Sequence, residues 1–393
     1  MSRTWNQYVV KQENKTLVLT TIMNHTPISR ANVAKITGLN KGTVSSLVSE
    51  LIDEKLVEES GPGKSSGGRR PVMLLFNGNA GYSISIELGV GYILGVITDL
   101  KGKIIEQDTI QLQTTHFNTI FPIMINLIKG LMEQVPKSRY GVIGIGVGVP
   151  AVVSRDGEIL LAPNLNWKNV ELKSKLENIF NLPVYIENEA NAGAYGEIRY
   201  GSSQNSQHTI FASIGIGIGV GMILDGKLYH GLNGFAGELG HMTIEKDGKT
   251  CRCGNRGCWE RYASEQAVID EAIKRGLVTA DQVEPFEQLI QLANDGNQAV
   301  IDLFEEIATY IAIGLTNCIN IFNPEHVIIG NRLMRAKEWI YPTIENYILE
   351  HAIGFHQNKL KIDSAKLGTY STISGMAAFT IEGFLLDQKR NHA

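Results

Sequence analysis

The chain has 393 residues, 43% of them hydrophobic and 19% charged, with a formal net charge of −4. These proportions are those of an ordinary globular protein large enough for two or three domains. They exclude a disordered or collagen-like chain, and no apolar run is long and uncharged enough to span a bilayer. The charge is uneven: residues 1–78 carry ten Lys/Arg against six Asp/Glu, and the remainder 26 against 34. A basic head on an acidic body points to a polyanionic partner for the head, although chance variation over 78 residues explains the charge equally well.

Taken in chain order, residues 14–25 read as a helix with Leu17, Val18, Thr21 and Ile22 on one face. Pro27-Ile28 breaks it, and Ser29 is a good N-cap for a short helix through about Ile36. Thr37-Gly38-Leu39-Asn40 is a tight turn whose glycine can take a positive φ. A second helix starts at Lys41, with Val44, Leu47, Val48, Leu51 and Ile52 forming one apolar stripe. Its exposed N-terminal face offers Asn40, Lys41, Thr43, Ser45 and Ser46, short polar groups and a cation suited to phosphates and base edges. Leu56–Glu59 and Val72–Phe76 then read as two strands joined by a basic Gly/Ser loop that carries Arg69 and Arg70. Helix, turn, helix and basic wing together predict a winged helix-turn-helix DNA-binding domain over 1–78. The competing reading is a three-helix interaction module with a linker.

From Tyr82 the pattern changes. β-rich runs at 82–88, 92–99 and 103–110 precede a helix at 118–135 and a strand at 141–149. Val184-Tyr185-Ile186 reads as a strand entering a helix near Asn188. A second set begins at 208–215 and 218–224, followed by a long helix at 297–322 and the strand His326–Ile329. Strand triplets leading into helices, occurring twice, predict a two-lobed α/β body over 79–393 with a ligand cleft between the lobes. Lobe I takes about 79–200 plus the C-terminal helix, and lobe II about 201–370. The fold class is thus α+β multidomain. Two Gly-rich turns, Glu87–Gly91 and Ile214–Gly221, have backbone suited to cradling phosphate, but they fit tight strand packing equally well.

Three of the four cysteines, Cys251, Cys253 and Cys258, fall within eight residues, with His241 ten residues upstream. Three thiolates and an imidazole complete a tetrahedral shell for zinc. A disulfide is the alternative, disfavoured because the first ten residues lack an apolar signal core, which suggests a reducing, cytoplasmic setting. Glu238 and Glu260 bracket the cluster without being needed as ligands. Glu187-Asn188-Glu189-Ala190-Asn191-Ala192 places further acids and amides at a strand-to-helix junction, where they serve either the helix dipole or hydroxyl recognition.

Three motifs carry a resemblance over essentially the whole chain: Glu187–Ala192, Gly237–His241 and the Cys251–Glu260 segment. Together they resemble the ROK family (repressors, open reading frames, kinases), and within it most closely the xylose-responsive repressors. The resemblance implies an actin-like (ribonuclease H-like) sugar-kinase body and a structural zinc held by His241, Cys251, Cys253 and Cys258. It further implies a sugar pocket of Gly148, Asn164, Asn188, Glu189, Glu238, His241 and Glu260. His241 would stand at both sites, one ring nitrogen on the metal and one toward a sugar hydroxyl.

The departures from the family kinases bear on activity. An ATP loop of the type Asp-x-Gly-Gly-Thr stands here as Glu87-Leu88-Gly89-Val90-Gly91, a Gly-Thr-Gly loop carries Ile216, a Gly-Gly pair becomes Gly330-Asn331, and the catalytic aspartate is Glu189. Moving a base by about 1 Å can cost on the order of 100-fold. The expectation is therefore a repressor without kinase activity. It would act as a homodimer on palindromic double-stranded operator DNA and be released by a monosaccharide, xylose first, with glucose able to compete. The alternative is an active ATP-dependent sugar kinase with a DNA-binding head.

Overall fold

The computed structural model describes residues 7–62, 71–204 and 206–387. The head holds α1 (Gln7–His25), β1 (Ile28–Ser29), α2 (Arg30–Thr37), α3 (Lys41–Asp53), β2 (Val57–Pro62) and β3 (Val72–Phe76), its strands ordered β1-β3-β2. Ser29 Oγ accepts from Asn32 N and caps α2; Gly38 ends it at φ +73°, a conformation that would strain a side chain. Asn40 Oδ1 then accepts from Thr43 N at 2.8 Å and starts α3. On α3, Val44, Leu47, Val48 and Leu51 are buried, each contributing roughly 1.5–3 kcal/mol relative to exposure.

Lobe I carries β4 (Tyr82–Leu88), β5 (Tyr92–Asp99), β6 (Ile104–Gln111), α4 (Phe117–Gln134) and β7 (Val142–Val149). After these come a small antiparallel sheet of β8 (Val152–Val153), β9 (Ile159–Ala162) and β10 (Trp167–Val170), then α5 (Leu172–Phe180), β11 (Val184–Asn188) and α6 (Glu189–Arg199). Lobe II carries β12 (Thr209–Ile214), β13 (Ile218–Leu224), β14 (Lys227–Leu228), α7 (Glu260–Ala263), α8 (Glu265–Lys274), α9 (Pro285–Asn294) and α10 (Gln298–Phe322). It continues with β15 (His326–Gly330), α11 (Lys337–His351) and β16 (Lys361–Ser364), and the chain returns to lobe I as α12 (Ser371–Asp387).

The two main sheets repeat one topology. In lobe I the order is β11-β7-β4-β5-β6, with β4 antiparallel to β5 and parallel to β7. In lobe II it is β14-β13-β12-β15-β16, with β12 antiparallel to β13 and parallel to β15. The duplicated strand triplets of the sequence are thus the first three strands of two like sheets. Strand β16 has no strong apolar run, and β8–β10 span only two to four residues each, so neither group stands out by periodicity.

The head does not fold around a private core. Its buried residues, among them Val18, Ile22, Val48 and Leu51, continue into Leu100 and Ile143 of lobe I and into Ala377, Ile381 and Leu385 of α12. Tyr140 also donates its hydroxyl to Glu54 O at 3.1 Å. A boundary at 78 therefore separates sequence elements that share one apolar cluster. Among the described residues, no helix is long and apolar enough to cross a membrane.

Candidate functional site

The segment 241–258 closes on itself through bridges Thr243–Cys258 and Thr250–Arg256. Its end is anchored by Trp259, which is fully buried in the lobe II core and donates Nε1 to Tyr310 O at 2.8 Å. That fold brings one ligand atom each from His241, Cys251, Cys253 and Cys258 within 4.8 Å of one another. Cys251 Sγ lies 3.6 Å from His241 Nδ1, and Cys253 Sγ lies 3.6 Å from Cys258 Sγ. Metal–ligand bonds of about 2.0–2.3 Å in a tetrahedron give edges of roughly 3.5–3.8 Å. The donor set and its spacing therefore fit a four-coordinate thiophilic ion. A disulfide does not fit, since all four cysteines are free and a bond would need about 2.0 Å. Burial raises the Cys251 and Cys258 thiols, so a dication there would supply the charge that lets them ionise.

With Nδ1 turned to the thiols, His241 presents Nε2 to Glu238 Oε2 at 3.8 Å. Glu260 stands on the other side, its Oε1 3.5 Å from His241 Nδ1 and accepting from Cys251 Sγ at 3.1 Å. The Glu238 carboxyl is raised, first by burial and then by the Glu260 charge, with His241 opposing. Glu260 also borders Gly217, where an added Cβ would come within 2.8 Å of Glu260 Oε2 and 3.8 Å of Asn164 Nδ2. The Cys/His knot, Glu260 and Asn164 thus meet at Gly217, which with Asn164 lines the interlobe cleft, and Glu238 stands beside them against His241.

The cleft itself has a volume of about 590 Å³, within the range of small-ligand pockets, and Pro150, Asn164, Glu189 and Gly217 line it. Burial pushes Glu189 up to about 7. Behind it, Glu87 is buried and pushed up to about 8, by burial first and the Glu189 charge third, against a lowering hydrogen bond from Tyr92 Oη at 2.5 Å. Two of the expected residues take other positions. Gly148 is not among the residues lining the cavity: it is the penultimate residue of β7, paired to Glu87 and Glu187, and a Cβ there would meet Thr372 of α12 at 2.6 Å. Its small size serves helix-on-sheet packing. Asn188 is the N-cap of α6 and is not among the residues lining the cavity; its Oδ1 accepts from Ala190 N and Asn191 N and its Nδ2 donates to Ala151 O, so one N–H is left for a ligand.

Some residues at the cleft gave no sign of it in the sequence. Arg252, between two of the cysteines, donates to Asn164 Oδ1 at 3.0 Å. His230 Nε2 lies 2.8 Å from Glu187 Oε2 across the lobes, and this contact raises the imidazole against the opposing effect of burial. At the two Gly-rich turns, which line the same cavity through Gly89, Gly91, Gly215 and Gly217, Tyr92 packs where a side chain on Gly89 would stand, while Arg332 and Arg335 are paired with Glu265 and Glu287. Neither guanidinium is left as an open phosphate clamp. In the head, Lys41, Ser45 and Ser46 are exposed and Thr43 half-buried, and Asn40 is exposed with its Oδ1 committed to the cap. Arg69 and Arg70 lie outside the described residues.

The buried Glu87 carboxyl predicts a pH dependence. The folded chain keeps this proton up to about pH 8 while the unfolded chain loses it near 4.5, so the folded state binds more protons in that window. Stability contributed here is full below 4.5 and is lost as pH rises toward 8. Glu87→Gln should therefore flatten this dependence. Its urea midpoint relative to wild type should improve between pH 5 and pH 8.5, by a stability difference on the order of 2 kcal/mol. An unchanged gap across that range would contradict the assignment.

The sequence profile of the ROK family matches residues 83–382. The xylose repressor of Bacillus spizizenii is 42% identical over 380 residues, covering 97% of this chain and 98% of that protein. That of Caldicellulosiruptor bescii is 40% identical over 392 residues, covering 97% and 98%. Among solved structures, a ROK family transcriptional regulator described as a homolog of E. coli MLC protein superposes with a TM-score of 0.82 at 29% identity, covering 97% of this chain and 99% of that one. A ROK family glucokinase from Streptomyces griseus, in complex with glucose and AMPPNP, gives 0.69 at 28% identity, covering 76% of this chain and 98% of that one.

Proposed function

Since the chain belongs to the ROK family, we propose that it works as a sugar-responsive transcriptional repressor rather than a kinase. The observation that carries this reading is an asymmetry in the cleft. The acid–imidazole edge of Glu238, His241 and Glu260 is assembled on the Cys/His knot, while at the Gly-rich turns Tyr92 packs against Gly89 and Arg332 and Arg335 are neutralised by Glu265 and Glu287. Fixed acceptors beside an oriented imidazole suit vicinal hydroxyls, and Asn164, Glu189 and the remaining N–H of Asn188 extend that set. Xylose is the inducer we propose, supported by the names of the relatives. The metal we propose is zinc; when bound it holds the His241 ring so that Nε2 stays turned to the ligand. The residues of this chain bind and orient the sugar, and no group is required to transfer a proton.

The head is read as a winged helix-turn-helix. Lys41, Thr43, Ser45 and Ser46, with the Asn40 amide, face the major groove, and Arg69 and Arg70 of the wing are assigned to the minor groove or the phosphates. The protein would act as a homodimer on a palindromic operator with half-sites about one helical turn apart. Sugar binding closes the lobes and weakens operator binding, and DNA must weaken sugar binding by the same factor. Gel-shift titration with xylose and a duplex selected by the protein from a random pool tests this directly; an operator complex indifferent to xylose and other monosaccharides would sink it. Sugar- and ATP-dependent ADP release at ordinary turnover would restore the kinase reading. Lys41→Ala should weaken binding to all duplexes alike and reduce the salt slope by about one. A change confined to one base position would contradict a phosphate role.

A further inference from the structure

The two lobes are joined by only two chain crossings among the described residues, 200–208 outward and 365–370 back. Both are held by one carboxylate. Glu197, on the last turn of α6, is 0% exposed. Its Oε2 accepts from Ser202 N (2.9 Å), Ser202 Oγ (3.1 Å) and Lys366 N (3.3 Å). Its Oε1 accepts from Leu367 N and Ser371 Oγ, both at 2.9 Å. No cation pairs with it among the described residues. Ser202 lies on the outward crossing, Lys366 and Leu367 on the return, and Ser371 opens α12. A carboxylate carried this deep is tolerated only where its lone pairs are all met, and here the donors meeting them are the hinge itself.

We propose that Glu197 is the pivot about which lobe II turns on lobe I, and the positioning residue that passes cleft closure to the DNA-binding head. The first half follows from the contacts: any rotation between lobes must bend both crossings, and both are tied to this one group. The second half follows from where α6 and α12 lead. Helix α6 begins at the cleft with Glu189, and Thr372 of α12 donates to Glu189 O at 3.2 Å. The helices pack so closely that a Cβ on Gly375 would lie 1.8 Å from Ala192 O and one on Gly196 2.2 Å from Ser371 O, so they move as one body. Tyr195 and Arg199 of α6 both engage Glu382 of α12, whose neighbours Ile381 and Leu385 are part of the head's apolar cluster. The chain from sugar to head is therefore contiguous, with Glu197 at its turning point.

This inference rests on the repressor reading for its functional half, and the test separates the two. The full-length protein is titrated with xylose and with a duplex it selects from a random pool, and amide exchange is followed by mass spectrometry. In the wild type, peptides over 198–204 and 365–368 should be protected, and xylose should weaken operator binding by about tenfold or more. Glu197→Gln sets an amide NH₂ against N–H donors. It should speed exchange in both crossings at least about tenfold, leave xylose affinity and sugar-free operator affinity within about threefold, and cut the coupling factor to about two or less. Ser371→Ala removes one donor and should shift both readouts the same way by less, which keeps the test decisive if the first variant does not fold. Unchanged protection of the crossings, or full coupling despite lost protection, overturns the proposal. If the wild-type operator complex ignores xylose, the repressor reading fails, and exchange in the crossings alone then decides for or against the pivot.

Discussion

Replacing Cys258 by serine should release the bound metal and lower the melting temperature by on the order of 10 °C. Cys258 is fully buried and precedes Trp259, the anchor of the knot in the lobe II core. A serine hydroxyl is a poor zinc ligand at neutral pH, and structural zinc contributes its binding free energy to the folded state. Losing even 3–5 kcal/mol of that corresponds to roughly 10 °C in a domain of this size. Cys318→Ser is the matched control. Cys318 is also buried, on α10, but it is not part of the cluster, so its substitution should cost some packing and leave the metal in place. Metal analysis of the two variants with calorimetric melting separates ligation from burial. A Cys258→Ser protein that keeps a full equivalent of metal would remove this residue from the ligand set. The knot also orders Glu238, His241 and Glu260, so xylose affinity should fall together with metal content, and treating the wild type with a chelator should reproduce both effects.

The parts legible in the sequence were those set by local rules. The α3 stripe of Val44, Leu47, Val48 and Leu51, the Ser29 cap and the Gly38 turn depend on neighbours within eight residues, and they form as periodicity and capping require. The Cys/His spacing likewise predicted a convergence that the coordinates show, because the knot is nearly local. What was hidden depends on long-range packing. Gly148 read as a site residue because it ends a strand near the cleft motifs, yet its missing side chain makes room for α12, more than two hundred residues later. Tyr92 follows two glycines and reads as an ordinary strand residue, and only the hairpin of β4 and β5 folds its hydroxyl onto Glu87. Glu197 gave no sign at all, since three of the groups it holds, on Lys366, Leu367 and Ser371, come from the far end of the chain. The head read as separate because its elements are contiguous, but its core is completed by α12. That last point matters for function: a head sharing its core with a body helix cannot be indifferent to where that helix goes.

Glu238→Ala should then yield a repressor that stays on its operator at xylose concentrations that release the wild type. Glu238 is the cleanest of the acids to remove. It is half-exposed at the cleft edge, makes its nearest charged contact with His241 Nε2 at 3.8 Å, and touches none of the thiols, whereas Glu260 accepts from Cys251. A hydrogen bond from a ligand to a charged group is worth about 1.5–3 kcal/mol, so xylose affinity should drop by roughly 10- to 150-fold. Metal content, melting temperature and sugar-free operator affinity should stay close to wild type, because the substitution leaves the knot, the hinge and the head intact. By reciprocity, a sugar that no longer binds cannot shift the lobes, yet a large excess of xylose should still release the operator. That recovery distinguishes a lost contact from a broken switch: a variant that binds xylose normally but fails to release DNA would place Glu238 in the coupling pathway. One that releases DNA at wild-type xylose would remove it from the sugar site altogether.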